Sequence, residues 1–315
     1  MELNNELNIK VKSGNLDVEY EIDQVLKDIK SMDLNTINIP VIISIENLES
    51  SNMEVDEHSK QKAINLIKKL KNTNINIILE PYPWIDDGKL YETEWMPSDI
   101  DEFFYNWKHK VLNVLINDIC NNYDINVINI ASNLVNIESY QDYWVEVVSF
   151  VRERYDGLVT YRTNWWYKDF DEKLNNKVFG EIDFISVAAY FELTNKKYAT
   201  TSYIAESISS TTINDRNQNI ELEIRQLYDK WKKPIFFGEL GFPKRLGASM
   251  KPYDPYFTYI PSYLQQINCF KAYKRVFKDK DYILGFSVFA IGYKSYNKAY
   301  YPCFISKKII KNWYK

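Results

Sequence analysis

Short continuous apolar runs along the chain give way, again and again, to stretches in which apolar residues recur every three or four positions. The first pattern suits strands buried on both faces, the second amphipathic helices. Strands are predicted at 7-LNIKV-11, 36-TINIPVIISI-45, 75-INIILEPY-82, 126-NVINIA-131, 157-GLVTYR-162, 182-IDFISVAAY-190, 234-PIFFG-238 and 282-YILGFSVFA-290. Helical stripes fall near 19–32, 57–72, 139–155, 169–178, 218–231, 261–278 and 304–313. A further long helix opens at Met96-Pro97-Ser98, with Ser98 as its expected N-cap. Eight strand-then-helix units imply a parallel sheet, and at 315 residues they favour a closed ring over an open doubly wound sheet. The expected fold is therefore α/β, a single (β/α)8 TIM barrel occupying 1–315 as one domain. The polar stretch 206-ESISSTTINDRNQNI-220 reads as a loop or mobile lid in the sixth unit.

Composition narrows the chemistry. With 39 basic and 43 acidic residues, net charge -4, no basic face stands out and nucleic acid is not an expected partner. Cys120, Cys269 and Cys303 form neither a disulfide framework nor a CxxC pair. No GxGxxG or GxxxxGK follows a strand, so nucleotide folds lose their main signature, and no cofactor or metal is expected. Two histidines, His58 and His109, both lie in helical patterns, which argues against histidine-based catalysis. The start MELNNELNIK has no apolar h-region and no run approaches a membrane span. The expectation is a soluble monomer, cytoplasmic or released without a signal peptide. Aromatic residues reach 16%, including 25 Tyr and 8 Trp, and rings with polar edges suit sugar-binding faces.

In such a barrel the chemistry sits at the carboxyl ends of the strands. The third strand end offers Glu80, Tyr82 and Trp84, with Trp95 further along the loop. The fourth offers Ser132, Asn133 and then Glu138, and the fifth Arg162, Asn164, Trp165 and Trp166. The sixth offers Tyr190 and Glu192, the seventh Glu239 between two glycines, and the eighth Phe289. Carboxylates beside aromatic platforms, with no Ser/His pair, are what glycoside chemistry requires: two carboxyl groups flank the scissile bond and rings stack on sugar faces. Tyr82, Trp84, Asn164, Trp165, Tyr190 and Phe289 are the expected substrate-binding residues, and Trp166, alternating to the other side, is expected in the core.

Several ordered segments carry a resemblance. The stretches 150-FVRERYDGLVTYRTNW-165, 183-DFISVAAYFEL-193, and 237-FGELGFP-243 followed by 247-GASMKPYD-254 resemble glycoside hydrolase family 113. These are retaining endo-β-mannanases whose acid/base follows strand four and whose nucleophile follows strand seven. The resemblance implies Glu239 as nucleophile. It also exposes departures. The family's G-x-E-[LM] motif corresponds to 131-ASNLV-135, with Asn133 in the place of the glutamate. Glu80 stands where the family usually has a lysine, and is one candidate replacement acid; Glu138 and Glu192 are others. After the eighth strand's Gly-Phe, 285-GFSVFAIG-292 lacks the expected tryptophans.

Two readings follow. One is a glycoside hydrolase acting on a β-linked oligosaccharide or polysaccharide through Glu239. The other is a carbohydrate-binding pseudo-enzyme, on a cell surface or a bacteriophage, that lost its general acid/base at Asn133.

Overall fold

Among the described residues nine strands make one sheet: β1 (Val11–Leu16), β2 (Thr36–Ile45), β3 (Glu54–Val55), β4 (Asn76–Ile85), β5 (Val127–Ser132), β6 (Leu158–Asn164), β7 (Phe184–Ala188), β8 (Ile235–Leu240) and β9 (Ile283–Ile291). They lie in the order β1-β9-β8-β7-β6-β5-β4-β2-β3, and an additional β1–β2 pairing closes the ring. β3 pairs antiparallel with the end of β2 and stands outside the ring. The remaining eight strands form the parallel barrel that the alternation of periods predicts, a single (β/α)8 TIM barrel. This computed structural model describes residues 10–211, 213–293 and 298–315. By packing, the described chain divides into one unit of residues 36–164 and 175–186 and another of 10–35, 165–174 and 187–315.

In the first unit, β2 and β4 pair in register from Thr36↔Asn76 to Ile45↔Ile85. Prolines are unusual inside a sheet because they donate nothing. Here β4 pairs with β5 only at Ile78 and Leu79, so Pro81 and Pro83 lie past the end of that ladder. The helix Glu57–Leu70 buries Ala63, Ile64, Leu66, Ile67 and Leu70, and Asp56 caps it by accepting from the Ser59 amide. The next helix begins one residue later than expected: the cap is Asp99, not Ser98, because the Asp99 side chain accepts from the Glu102 amide at 2.9 Å. Trp95, which the sequence places in the loop after the third strand, is fully buried; its ring packs on Phe103 and Trp107 and its Nε1 donates to Ser50 O at 3.0 Å.

In the second unit, the first strand departs from expectation. Of the predicted 7–11 run, residues 7–9 lie outside the described residues, and β1 runs on through VKSGNL to Leu16. Polar Ser13 and Asn15 hid this strand from a hydrophobic pattern. Both are buried, and Asn15 Nδ2 donates to Gly238 O at 2.6 Å. Packing at Gly14 is close, since a Cβ would meet the Ile291 side chain at 2.3 Å. The stretch 206–220, expected as a loop or mobile lid, begins inside a helix and is irregular beyond it. Thr200 caps a helix Thr201–Ser209, and Thr211 then bridges Gln218 in antiparallel fashion, with Ile213 buried between them. No helix among the described residues is long and apolar enough to cross a membrane.

Candidate active site

β8 places Glu239 by a break in its own alternation. Phe237 and Phe242 both pack on Tyr273 of the helix Tyr263–Phe277, with ring centroids 5.9 and 5.3 Å apart. Phe237 lies within β8 and Phe242 two residues past its end. Inside the strand the register shifts: Phe237 pairs with Phe286 and Leu240 with Val288, three steps along β8 against two along β9. A bulge of this kind re-aims the residues beside it, and here it frees Glu239 from the helix-facing parity of Phe237. The Glu239 carbonyl accepts from Ala189 N at 2.8 Å, tying the strand to the chain just past β7.

That chain places Tyr190. Its ring meets Phe289 edge-on at 6.0 Å and Tyr300 at 6.3 Å, and Phe289 meets Tyr300 at 5.3 Å. Half-buried Trp165 packs against the same group. The glycine after the acid does not leave open space. A Cβ on Gly241 would lie 2.7 Å from Phe289 O and 3.3 Å from Tyr300 Cδ1, so its backbone lies close against the Phe289 main chain and the edge of the Tyr300 ring. Burial first, then the carboxylates of Asp254 and Glu239, push the Tyr300 phenol well above its ordinary value. Its hydroxyl donates to Pro252 O at 2.7 Å. Next to Pro252, Tyr253 stacks on Trp165 at 5.5 Å with ring planes 16° apart. Tyr253 also donates to Glu192 Oε1 at 3.0 Å, and burial followed by the Glu192 charge pushes its phenol up to about 12. Glu192 is ion-paired with Arg216, whose guanidinium lies 4.0 Å over the Tyr167 ring. This aromatic wall has the exposed ring edges of Tyr253 and Tyr167 at its outer margin.

In the first unit, Glu80, Tyr82 and Trp84 share one face of β4. Glu80 is buried in a polar nest. Arg162 reaches it with Nη2 at 2.8 Å from Oε2 and Nη1 at 3.3 Å from Oε1. Asn38 and Asn129 amides donate to Oε2 at 3.0 and 2.9 Å, and Ser132 Oγ at 3.3 Å. Tyr82 and Trp84, both half-buried, stand above it with centroids 6.3 Å apart. Trp84 lies against Gly88, where a Cβ would strike its ring at 2.3 Å. With Ser44, Glu46, Glu54, Asp86 and Asp87 it lines a cavity of about 380 Å³.

Asn133 follows β5 in the left-handed region, φ 57°, a conformation asparagine tolerates better than most residues. Its amide Nδ2 donates to Glu92 Oε1 at 3.3 Å. Glu92 is half-buried on the short 3₁₀ turn Glu92–Glu94. Glu138 accepts from Thr163 Oγ1 at 2.6 Å and Asn176 Nδ2 at 3.3 Å, pinning neighbouring segments together.

The expected residues thus fall into three groups. Glu239 joins Tyr190, Phe289 and Trp165; Glu80 lies below Tyr82 and Trp84; Asn133 meets Glu92. Asn164 ends β6, half-buried. Trp166 lies in the core as expected, with its Nε1 donating to Glu223 at 2.8 Å. Tyr300, Tyr253, Arg216 and Glu92 were not anticipated. Each sits in an irregular segment distant in sequence from its partner, where no periodic signal exists. Among the described residues, no group of three His, Cys, Asp or Glu side chains could hold a metal ion.

Comparison with known proteins places the chain in a family. Among solved structures, a GH113 β-1,4-mannanase superposes with a TM-score of 0.75 at 18% identity, covering 98% of this chain and 99% of that one. The GH113 β-mannanase AaManA from Alicyclobacillus acidocaldarius, in complex with ManMIm, gives 0.75 at 15% identity over 97% of each chain. A Glycoside Hydrolase Family 5 mannosidase from Rhizomucor miehei, in complex with mannosyl-fructose, gives 0.62 at 12% identity over 98% of this chain and 93% of its own. No curated protein matches the sequence. At these identities the superpositions speak for the barrel alone. The sequence itself matches Glycoside Hydrolase Family 113 from residue 9 to residue 301. The chain belongs to Glycoside Hydrolase Family 113.

Proposed function

We propose that the protein cleaves a β-linked oligosaccharide or polysaccharide by double displacement, with Glu239 as the nucleophile. The observation that carries this reading is Glu239 itself: a carboxylate at the end of β8, turned by a bulge, beside the rings of Tyr190, Phe289 and Tyr300. A glycosidic bond offers an electrophilic anomeric carbon between apolar sugar faces, and a carboxylate bordered by rings suits both features. Glu239 attacks the anomeric carbon, the bond to the leaving oxygen breaks, and water later displaces the carboxylate with net retention. The stacked Trp165 and Tyr253 supply a platform for a further sugar. The mannanase and mannosidase descriptions of the structural relatives make β-mannosides the first substrates to try.

The test is Glu239→Gln assayed on aryl β-glycosides, whose leaving groups need little acid help. Hydrolysis is expected to fall on the order of 10⁴-fold or more. An unchanged rate would overturn the assignment.

One observation favours a second reading. An amide at Asn133 cannot transfer a proton, and general acid help is typically worth ~10²–10⁴-fold. A glycan-binding protein that no longer cuts would tolerate that loss. Binding to an immobilised glycan with no product after prolonged incubation would favour this reading over hydrolysis.

A further inference from the structure

We propose that a cavity at the amino-terminal ends of β4 and β5 is a saccharide-binding site in its own right, which grips a neutral stretch of the β-linked polysaccharide. The choice of a β-linked glycan rests on the hydrolase reading above; the preference for a neutral saccharide rests on the cavity's own residues. The cavity measures about 460 Å³ and lies within one packing unit, between the end of the helix Glu57–Leu70 and the turns that lead into β4 and β5. Small-ligand sites typically enclose about 300–1,000 Å³.

Its lining is rich in carboxamides. Asn74 and Asn76 come from the approach to β4, Asn122 and Asn126 from the approach to β5, and Thr73 and the half-buried Tyr123 complete it. Local structure explains two of the four asparagines. Asn126 Oδ1 accepts from Ile77 N at 2.8 Å, stitching the start of β4 to the approach to β5, and Asn122 Nδ2 donates to Asn117 O at 2.7 Å. It does not explain Asn76. This residue opens β4, paired with Thr36 in the ladder, and its Nδ2 is buried with no hydrogen-bond partner among the described residues. A buried donor left unmade destabilises the fold, and a β-branched residue would suit the strand better. An amide kept on a cavity wall in spite of both is explained by an acceptor on a ligand.

The residues also select the ligand. Lys68, Lys71 and Asp124 are all exposed, so no buried charge calls for an ion of either sign. Asp124 is the one acid in the lining, too little to hold a metal ion. Carboxamides and the Thr73 hydroxyl both donate and accept, as sugar hydroxyls do, and so can meet them in either sense. Tyr123 adds an aromatic surface for the C–H face of a pyranose, and the Lys68 ammonium, 5.8 Å from the ring centroid, adds donors beside it. A polymer gripped here stays on the protein between cleavages, whereas a small aryl glycoside gains nothing from the contact.

The experiment is affinity electrophoresis through gels holding galactomannan, hydroxyethyl cellulose or arabinoxylan, run beside an aryl β-glycoside assay. At least one of the three glycans is expected to retard the wild type. Asn76→Val should weaken that binding about 5-fold and Tyr123→Ala about 10-fold, each with its aryl β-glycoside rate unchanged, while Tyr123→Phe keeps the ring and most of the retardation. The thermal midpoint of Asn76→Val should equal or exceed that of wild type, because the change removes an orphan donor. Should Tyr123→Ala fail to fold, Asn76→Val and the exposed Asn74→Ala carry the test. Undiminished retardation in these variants, or a wild type that none of the three glycans retards, overturns the site and leaves the hydrolase reading standing. A lowered midpoint in Asn76→Val would make that residue part of the frame and overturn its assignment. Retardation that these variants lose, in a protein whose wild type hydrolyses no aryl β-glycoside, upholds the site and removes the hydrolase reading instead.

Discussion

Glu80 on β4 and Glu239 on β8 are both strand glutamates of this barrel, and burial does not distinguish them: they are 5% and 7% exposed. Their surroundings differ in kind. Glu80 lies in a fully polar nest, with a guanidinium across both oxygens and two asparagine amides beside it. Glu239 lies on a bulged strand beside rings, close enough for its charge to raise the Tyr300 phenol. A carboxylate whose oxygens are committed to donors fixed on neighbouring strands is part of the frame. One bordered by aromatic faces can offer its charge to a ligand. Depth of burial says little about which of the two roles a buried acid has; the identity of its neighbours says much more.

The comparison breaks most sharply at Glu80. Glu80→Ala would leave Arg162 buried without its counter-charge, at a cost of about 3–5 kcal/mol. Urea unfolding should show the loss. Replacing both partners, Glu80→Leu with Arg162→Met, should recover much of it, since no buried charge then remains. Recovery would be incomplete, because Asn38 and Asn129 still lose their acceptor. Glu239→Gln should cost far less stability than Glu80→Ala while silencing hydrolysis. If the two single variants destabilised equally, the division into frame and site would fail.

A smaller effect is expected at Tyr300, which belongs to the Glu239 side only. Tyr300→Phe keeps the ring against Phe289 and Tyr190 but strands the Pro252 carbonyl. The expected loss is about 1 kcal/mol in unfolding. Because Pro252 precedes the Tyr253 that stacks on Trp165, KM for longer oligosaccharides should rise while kcat on an aryl glycoside holds. A fall in kcat with KM unchanged would place Tyr300 in the chemistry instead of behind the platform.

This division was only partly legible in the sequence. The barrel could be read because continuous apolar runs at 36–45, 126–131 and 234–238 have few other uses, and β2 lies where its pattern put it. Glu239 stood out because PIFFGELGFP places an acid in an apolar run that contains no basic residue. β1 was hidden because Ser13, Gly14 and Asn15 are polar or small for reasons of close packing, which hydrophobicity cannot register. The Arg162 partner of Glu80 and the Glu92 partner of Asn133 are 82 and 41 residues away in the chain. Such pairs are made by closure of the ring, and no window of sequence contains them.

A third glutamate supplies the intermediate case and the smallest prediction. Glu223, on the helix Ile220–Trp231, is half-buried and accepts from two neutral donors, Trp166 Nε1 at 2.8 Å and Gln218 Nε2 at 2.9 Å. Burial raises its carboxyl above the ordinary value of 4.5, and the two hydrogen bonds offset only part of that shift. The folded protein therefore holds this proton more tightly than the unfolded chain does. Where the folded state binds more protons, stability falls as pH rises, so Glu223 weakens the fold from about 4.5 up through its raised value and no further beyond. Glu223→Gln keeps an oxygen for both donors and removes the titration. Thermal midpoints of the two proteins should nearly coincide below that window, and the variant should gain on wild type as pH climbs through it. A gap that stays constant across the range would show that Gln218 and Trp166 neutralise the effect of burial, and that neutral donors can hold a carboxylate as firmly as Arg162 holds Glu80.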